Sequence, residues 1–255
     1  MGGDGLVVTG ETAWLAFLFL LLALLYASVG QAGASGYLAA MGLFQLAPAA
    51  MKTTALSLNL LGAGIGTLQF WRSGLPAWRT FYPFGVLGIP FSLLGGAVQL
   101  PTHFYYPVVG AILLVSAAQM FRSARKRSAA HSSPPLHPPL VPALLTGAVI
   151  GFVSGTTGTG GGIFLAPVIL SMNWVSVRRT AAVTAAYNLL NSAAALFGAY
   201  SILGSIPQAL PLWLVAVGAG GAIGALIGSR HLPDGALRFI LAVALLVAGV
   251  KLVLT

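Results

Sequence analysis

The chain contains no cysteine. Disulfides, thiolate metal sites and thiol relays are therefore excluded. Acidic side chains are nearly as scarce. Asp4, Glu11 and Asp234 are the only three, and all charged types together make up 6% of the 255 residues, against roughly 25% in soluble domains. No carboxylate falls in the core of an apolar run, so a carboxylate proton relay lacks its parts. The four histidines, His103, His131, His137 and His231, lie between the runs without metal-ligand spacing. The sequence predicts no metal, no cofactor and no enzyme, because a buried acid, base, nucleophile or metal would be needed.

Hydrophobic residues dominate instead, at 58% with a mean hydropathy of +0.94. Apolar runs fall near 13–29, 36–47, 53–71, 81–99, 104–121, 142–154, 161–172, 180–200, 209–228 and 237–254. The longer ones approach the ~20 residues that cross a bilayer as helix. The net charge of +9 could suggest nucleic acid. Most of it flanks apolar runs, which is the pattern of membrane orientation, so no nucleic-acid partner is expected. Residues 1–29 carry Asp4 and Glu11 and no Lys or Arg. A signal peptide needs the opposite charge, so the segment is expected to remain in the mature protein.

The runs are duplicated. Between them lies FRSARKRSAAHSSPPLHPPL, residues 121–140, first basic and then Ser/Pro-rich. Gly30, Gly33 and Gly36 match Gly155, Gly158 and Gly161. Asn59-Leu60-Leu61 matches Asn188-Leu189-Leu190, and Leu100-Pro101 matches Leu232-Pro233. One membrane transport domain, 1–255, is predicted, with repeat 1 at 12–121, a cytoplasmic linker at 122–140 and repeat 2 at 141–254.

Runs 36–47 and 161–172 are too short to span as helices. If each glycine-linked pair returns to its starting side, each half crosses three more times and the repeats are inverted. That arrangement puts Arg72, Arg79, Arg122, Arg125, Lys126, Arg127, Arg178, Arg179, Arg230 and Arg238 inside, with only Lys52 and Lys251 outside. Treating each pair as one broken crossing separates seven from five, a weaker asymmetry. The predicted fold is an all-α polytopic membrane protein with two inverted-topology repeats. Each repeat is a glycine-tipped re-entrant or broken helix pair plus three transmembrane helices. The protein is placed in the cytoplasmic (inner) membrane with both termini outside.

The second tip reads SGTTGTGGGIFLAP over 154–167, with five glycines among the eight residues 155–162. Non-helical backbone within a membrane must be buried in protein or line a wet cavity. Glycine tips on paired short helices build transporter sites, and a helix N-terminus there favours an anion. Thr156, Thr157 and Thr159 add hydroxyls. Candidate substrate-binding residues are Gly33, Ser35, Gly36, Asn59, Thr157, Gly158, Thr159, Gly160, Gly161, Gly162 and Asn188. The plainer reading of such glycines is close helix packing, which is preferred for Gly88, Ser92 and Gly96 and for Gly220, Gly224 and Gly228. Asn59 and Asn188 read either as interhelical hydrogen-bonding groups or as paired ligands. Lys52 reads as snorkelling to the interface or as anion attraction. Trp71, Trp78, Tyr105, Tyr106, Trp174 and Trp213 read as interfacial belts.

GTTGTGGGIFLAPVIL (155–170) and RRTAAVTAAYNLLNS (178–192), with their fainter copies in the first half, resemble the TauE/SafE sulfite exporters, also called TSUP permeases. The resemblance covers nearly the whole chain. It implies export or uptake of sulfite, sulfonates or related organosulfur and carboxylate anions across the inner membrane. The first repeat departs from the pattern, reading GASG where the second reads GTGGG. The expected function is a secondary transporter moving a small organosulfur or other anion by alternating access. The alternative is an anion channel that uses the same tips as a filter. The expected partners are that anion and the lipid bilayer, with a homo-oligomer left open.

Overall fold

The computed structural model describes residues 10–28, 31–72, 74, 78–125, 138–172, 174–200, 207–228 and 234–254. Most of the linker and the first nine residues, with Asp4, lie outside them. Among the described residues there are ten α-helices and no strand. The first half holds α1 (Gly10–Ser28), α2 (Ala34–Leu43), α3 (Pro48–Arg72), α4 (Trp78–Ala97) and α5 (Thr102–Arg125). The second holds α6 (Leu140–Thr157), α7 (Gly162–Ser171), α8 (Val177–Gly198), α9 (Leu210–Gly228) and α10 (Asp234–Leu254).

Three of these helices, α1, α4 and α6, are long and apolar enough to cross a membrane. Large apolar side chains face outward, among them Phe17 (50% exposed), Phe104 (58%) and Val149 (63%). A soluble monomer rarely leaves that much apolar surface open, whereas lipid covers it without cost. The polar groups go inward: Thr53, Asn59, Ser92, Asn191 and Ser192 are fully buried.

The halves interlock. α1 of the first half packs on α9 of the second, and α6 packs in the corresponding way on α4. α3 meets α8, and α5 meets α10. Small residues make the seams close. A Cβ on Gly147, Gly151 or Gly155 would overlap the carbonyl oxygen of Phe84, Gly88 or Ser92 respectively. A Cβ on Gly220 or Gly224 would meet that of Leu20 or Leu24. Gly220 and Gly224 thus pack tightly, as does Gly96 against the Ala195 carbonyl, while Ser92 Oγ donates to Asn191 O at 2.9 Å. Gly228 lacks a described environment.

These pairings fix helix directions. On the α4–α6 seam both chains advance together, so the helices are parallel; the α1–α9 seam is parallel for the same reason. α4 also runs parallel to α8, because Gly88 lies against Tyr187 and Gly96 against Ala195. α3 runs parallel to α9, because Gly218 lies against Leu61 and Gly221 against Ile65. By contrast α3 and α8 are antiparallel: Asn59 pairs with Ser192, Gly64 lies against Leu189, and Gly66 against Ala185. α5 and α10 are antiparallel too, with Gly110 beside Val253 and the Phe121 and Phe239 rings 5.3 Å apart.

α7 turns back alongside α4 and α6. Leu165, Ile169 and Val175 share one apolar cluster with Ala143 and Phe84, and the Trp174 ring stacks 6.0 Å from Phe84.

Two of the expected belt residues lie inside. Tyr105 and Trp213 are each 2% exposed. Their polar tips reach backbone carbonyls, Tyr105 Oη donating to Thr157 O at 2.9 Å and Trp213 Nε1 to Thr12 O at 3.1 Å. Burial therefore leaves neither tip unpaired, as large amphipathic rings require. Trp71 and Trp78 do sit outside, at 74% and 67% exposure.

Candidate functional site

The α6–α7 connection runs through glycines in the left-handed region: φ is 86° at Gly158, 76° at Gly160 and 83° at Gly161. Side chains other than glycine rarely adopt these angles, which accounts for the glycine content of the loop. Gly158 ends α6, its N–H donating to Ser154 O at 2.8 Å. The chain then turns and enters α7 at Gly162.

Both half-chains supply an asparagine to this turn. Asn188 Oδ1 accepts from the Gly162 N–H at 2.7 Å, meeting one of the first N–H groups of α7 that have no partner inside the helix. Asn59 Nδ2 donates to Ser192 Oγ at 2.7 Å. A Cβ on Gly160 would overlap the Asn59 amide nitrogen and lie 3.1 Å from Asn188 Oδ1. The loop therefore lies against both amides at once, where antiparallel α3 and α8 cross. Asn59 Oδ1 and Thr54 Oγ1 are enclosed, and neither has a hydrogen-bond partner among the described residues.

The threonine hydroxyls are less free than the sequence suggests. Thr156 Oγ1 donates to Phe152 O at 2.8 Å and Thr157 Oγ1 to Val153 O at 2.7 Å. Thr159 Oγ1 pairs with Thr157 Oγ1 at 3.2 Å. Threonine within a helix closes this i−4 bond readily.

The Sulfite exporter TauE/SafE profile matches residues 15–252. This chain belongs to the TauE/SafE family. It is 58% identical over 246 residues to a probable membrane transporter protein, y4hK, of Sinorhizobium fredii (strain NBRC 101917 / NGR234). The alignment covers 95% of this chain and 98% of that relative. No solved structure matches. The protein is thus a TauE/SafE membrane transporter.

In this TauE/SafE chain the two glycine tips are unequal. Gly33 precedes α2 with φ −87°, outside the left-handed region, and Gly36 lies within the helix against Tyr26. Ser35 Oγ and Tyr26 Oη are 2.9 Å apart. Gly33, Ser35 and Gly36 thus surround Tyr26 and Tyr37 and are apart from the amide cluster. Gly33 also lines a cavity of about 40 Å³ with Gln31, Tyr37, Ala63, Gly66 and Ala185, room for about three waters. Ala63 is one helical turn beyond Asn59, and Ala185 nearly one turn before Asn188. The two tips therefore approach the α3–α8 crossing from either side.

Three neighbours of the site carry little signal in the sequence. Ser192 holds Asn59. Tyr187 Oη donates to Gly147 O at 2.7 Å while its ring backs Gly161. Lys52 is 2% exposed, and its backbone lies against Gly158. The snorkelling reading of Lys52 gives way to a buried one. Its Nζ donates to the carbonyls of Gly95, Gly96 and Val98 at 3.1, 2.7 and 2.7 Å. Carbonyls left open at the end of α4 supply the partners that the ammonium would otherwise find in water.

Proposed function

We propose that this TauE/SafE member is a secondary transporter that carries a small anion across the cytoplasmic membrane by alternating access. Sulfite, sulfonates and related organosulfur anions form the substrate class. The single observation that carries the reading is the convergence of Asn59 and Asn188, from opposite halves, on the left-handed Gly160. Binding between two half-chains is what lets rocking of one half against the other open the site to alternate sides.

Gly158, Thr159, Gly160, Gly161 and Gly162 would offer backbone to the anion, at the favourable N-terminal end of α7. Thr157 would hold Thr159, and Asn188 would orient Gly162. Ser192 Oγ can donate as well as accept, so the Asn59 amide keeps one group for a ligand in either orientation. Gly33, Ser35 and Gly36 would form the approach from the other tip, through the cavity.

The helix directions support two inverted repeats, 12–121 and 141–254, joined by the basic linker 122–140. α1, α3 and α9 share one direction, and their counterparts α6, α8 and α4 the other. The apolar cluster that Leu165, Ile169 and Val175 share with Ala143 favours a re-entrant pair. The charge asymmetry of that arrangement favours both termini outside.

The test is tracer flux in liposomes for sulfite, sulfate, thiosulfate, sulfoacetate and simple carboxylates, with Asn188→Ala and Gly161→Leu as controls. Saturable flux of a sulfur anion that both changes abolish supports a carrier with its site at the loop. Non-saturating conductance without exchange would mean a channel. Flux indifferent to both changes would remove the site assignment.

A further inference from the structure

Lys52 has a buried side chain, whereas Arg72, Arg79, Arg122 and Arg179 are exposed. All three of its donors go to backbone carbonyls, so its charge faces no anionic partner there. The surroundings need that charge. α4 and α6 run parallel and end side by side, Gly155 against Ser92 and Gly95 against Thr156. Each C-terminus carries roughly half a negative charge, and two at one level repel an anion. Between these ends and the glycine loop stands Lys52, with its Cα 3.2 Å from where a Cβ on Gly158 would lie.

We infer that Lys52 is a specificity-determining residue of the anion site. The inference rests on the anion reading given above. Its ammonium offsets the negative ends of α4 and α6 through space and makes the loop favour anions, without touching the substrate. The effect scales with ligand charge. For a separation on the order of 10 Å in a protein-like dielectric, loss of the charge weakens binding about tenfold per unit of ligand charge.

The experiment is equilibrium binding of tracer sulfate, a dianion, and tracer methanesulfonate, a monoanion, to purified protein at one pH. Lys52→Gln keeps N–H donors for the α4 carbonyls but removes the charge, and Lys52→Arg keeps the charge. Lys52→Gln is expected to weaken methanesulfonate about tenfold and sulfate about a hundredfold, with Lys52→Arg retaining most of both. Equal losses for the two probes would mean a purely structural lysine. That result overturns the inference and leaves the anion site standing. A wild-type protein that binds neither probe removes the anion site and the inference together. Should Lys52→Gln fail to fold, the wild type is competed with methanesulfonamide, a neutral molecule of similar shape. Methanesulfonate is expected to bind at least about tenfold more tightly, and equal binding overturns the inference.

Discussion

Replacing Gly160 by alanine probes the loop and the Asn59 amide in one step. At φ 76° an L side chain costs roughly 1–2 kcal/mol. The new methyl would also overlap Asn59 Nδ2 and lie 3.0 Å from its Cγ. Asn59 must then swing aside and release its 2.7 Å bond to Ser192, worth about 1 kcal/mol. The sum is on the order of 2–3 kcal/mol. In detergent the unfolding midpoint should fall by roughly 5–10 °C, taking about 2–4 °C per kcal/mol for a chain of this size. Because part of the loss passes through Asn59, Gly160→Ala and Asn59→Ala should be non-additive by about 1 kcal/mol in a double-mutant cycle. Gly62→Ala is the control, since a Cβ there meets nothing within 4 Å. It should be neutral or stabilising by up to about 1 kcal/mol. Strict additivity of the pair, or a Gly160→Ala protein that melts with the wild type, would refute the geometry.

Two further outcomes follow from the packing. Gly151→Leu should prevent α4 and α6 from closing, because a Cβ alone already overlaps the Gly88 carbonyl. Its purified yield and monodispersity should collapse, whereas Gly218→Ala, whose Cβ would find Leu61 at an ordinary 3.6 Å, should behave as wild type. Tyr105→Phe deletes the donor to Thr157 O and leaves that buried carbonyl open. A loss of about 1–3 kcal/mol is expected, and an unchanged melting curve would mean that the carbonyl finds another donor.

Much of this architecture is written in short-range pattern. Glycines announce the loop at 158–162 because only glycine accepts its angles, and α2 and α7 begin close to the predicted positions, after Gly33 and Gly161. Duplication marks Asn59 and Asn188 as a pair, and the structure brings both to one loop. The Lys52 environment was not legible. Its partners are backbone carbonyls 43 to 46 residues away, and a carbonyl leaves no letter in the sequence. Tyr105 and Trp213 were misplaced for the same reason: their partners are the carbonyls of Thr157 and Thr12. Ser192 meets Asn59 only through the antiparallel crossing of α3 and α8, which no local pattern announces.

The α1–α9 seam also constrains how the protein is made. Leu20 and Leu24 expose the carbonyls on which Gly220 and Gly224 close, about 200 residues later in the chain. At ribosomal speeds of roughly 5–20 residues per second, the first helix waits on the order of 10–40 s for its permanent neighbour. During that interval lipid or an insertion factor must cover a face shaped for glycine. The first half is not a finished object at the moment its synthesis ends. Truncation anywhere before α9 leaves an orphaned helix for membrane quality control to find.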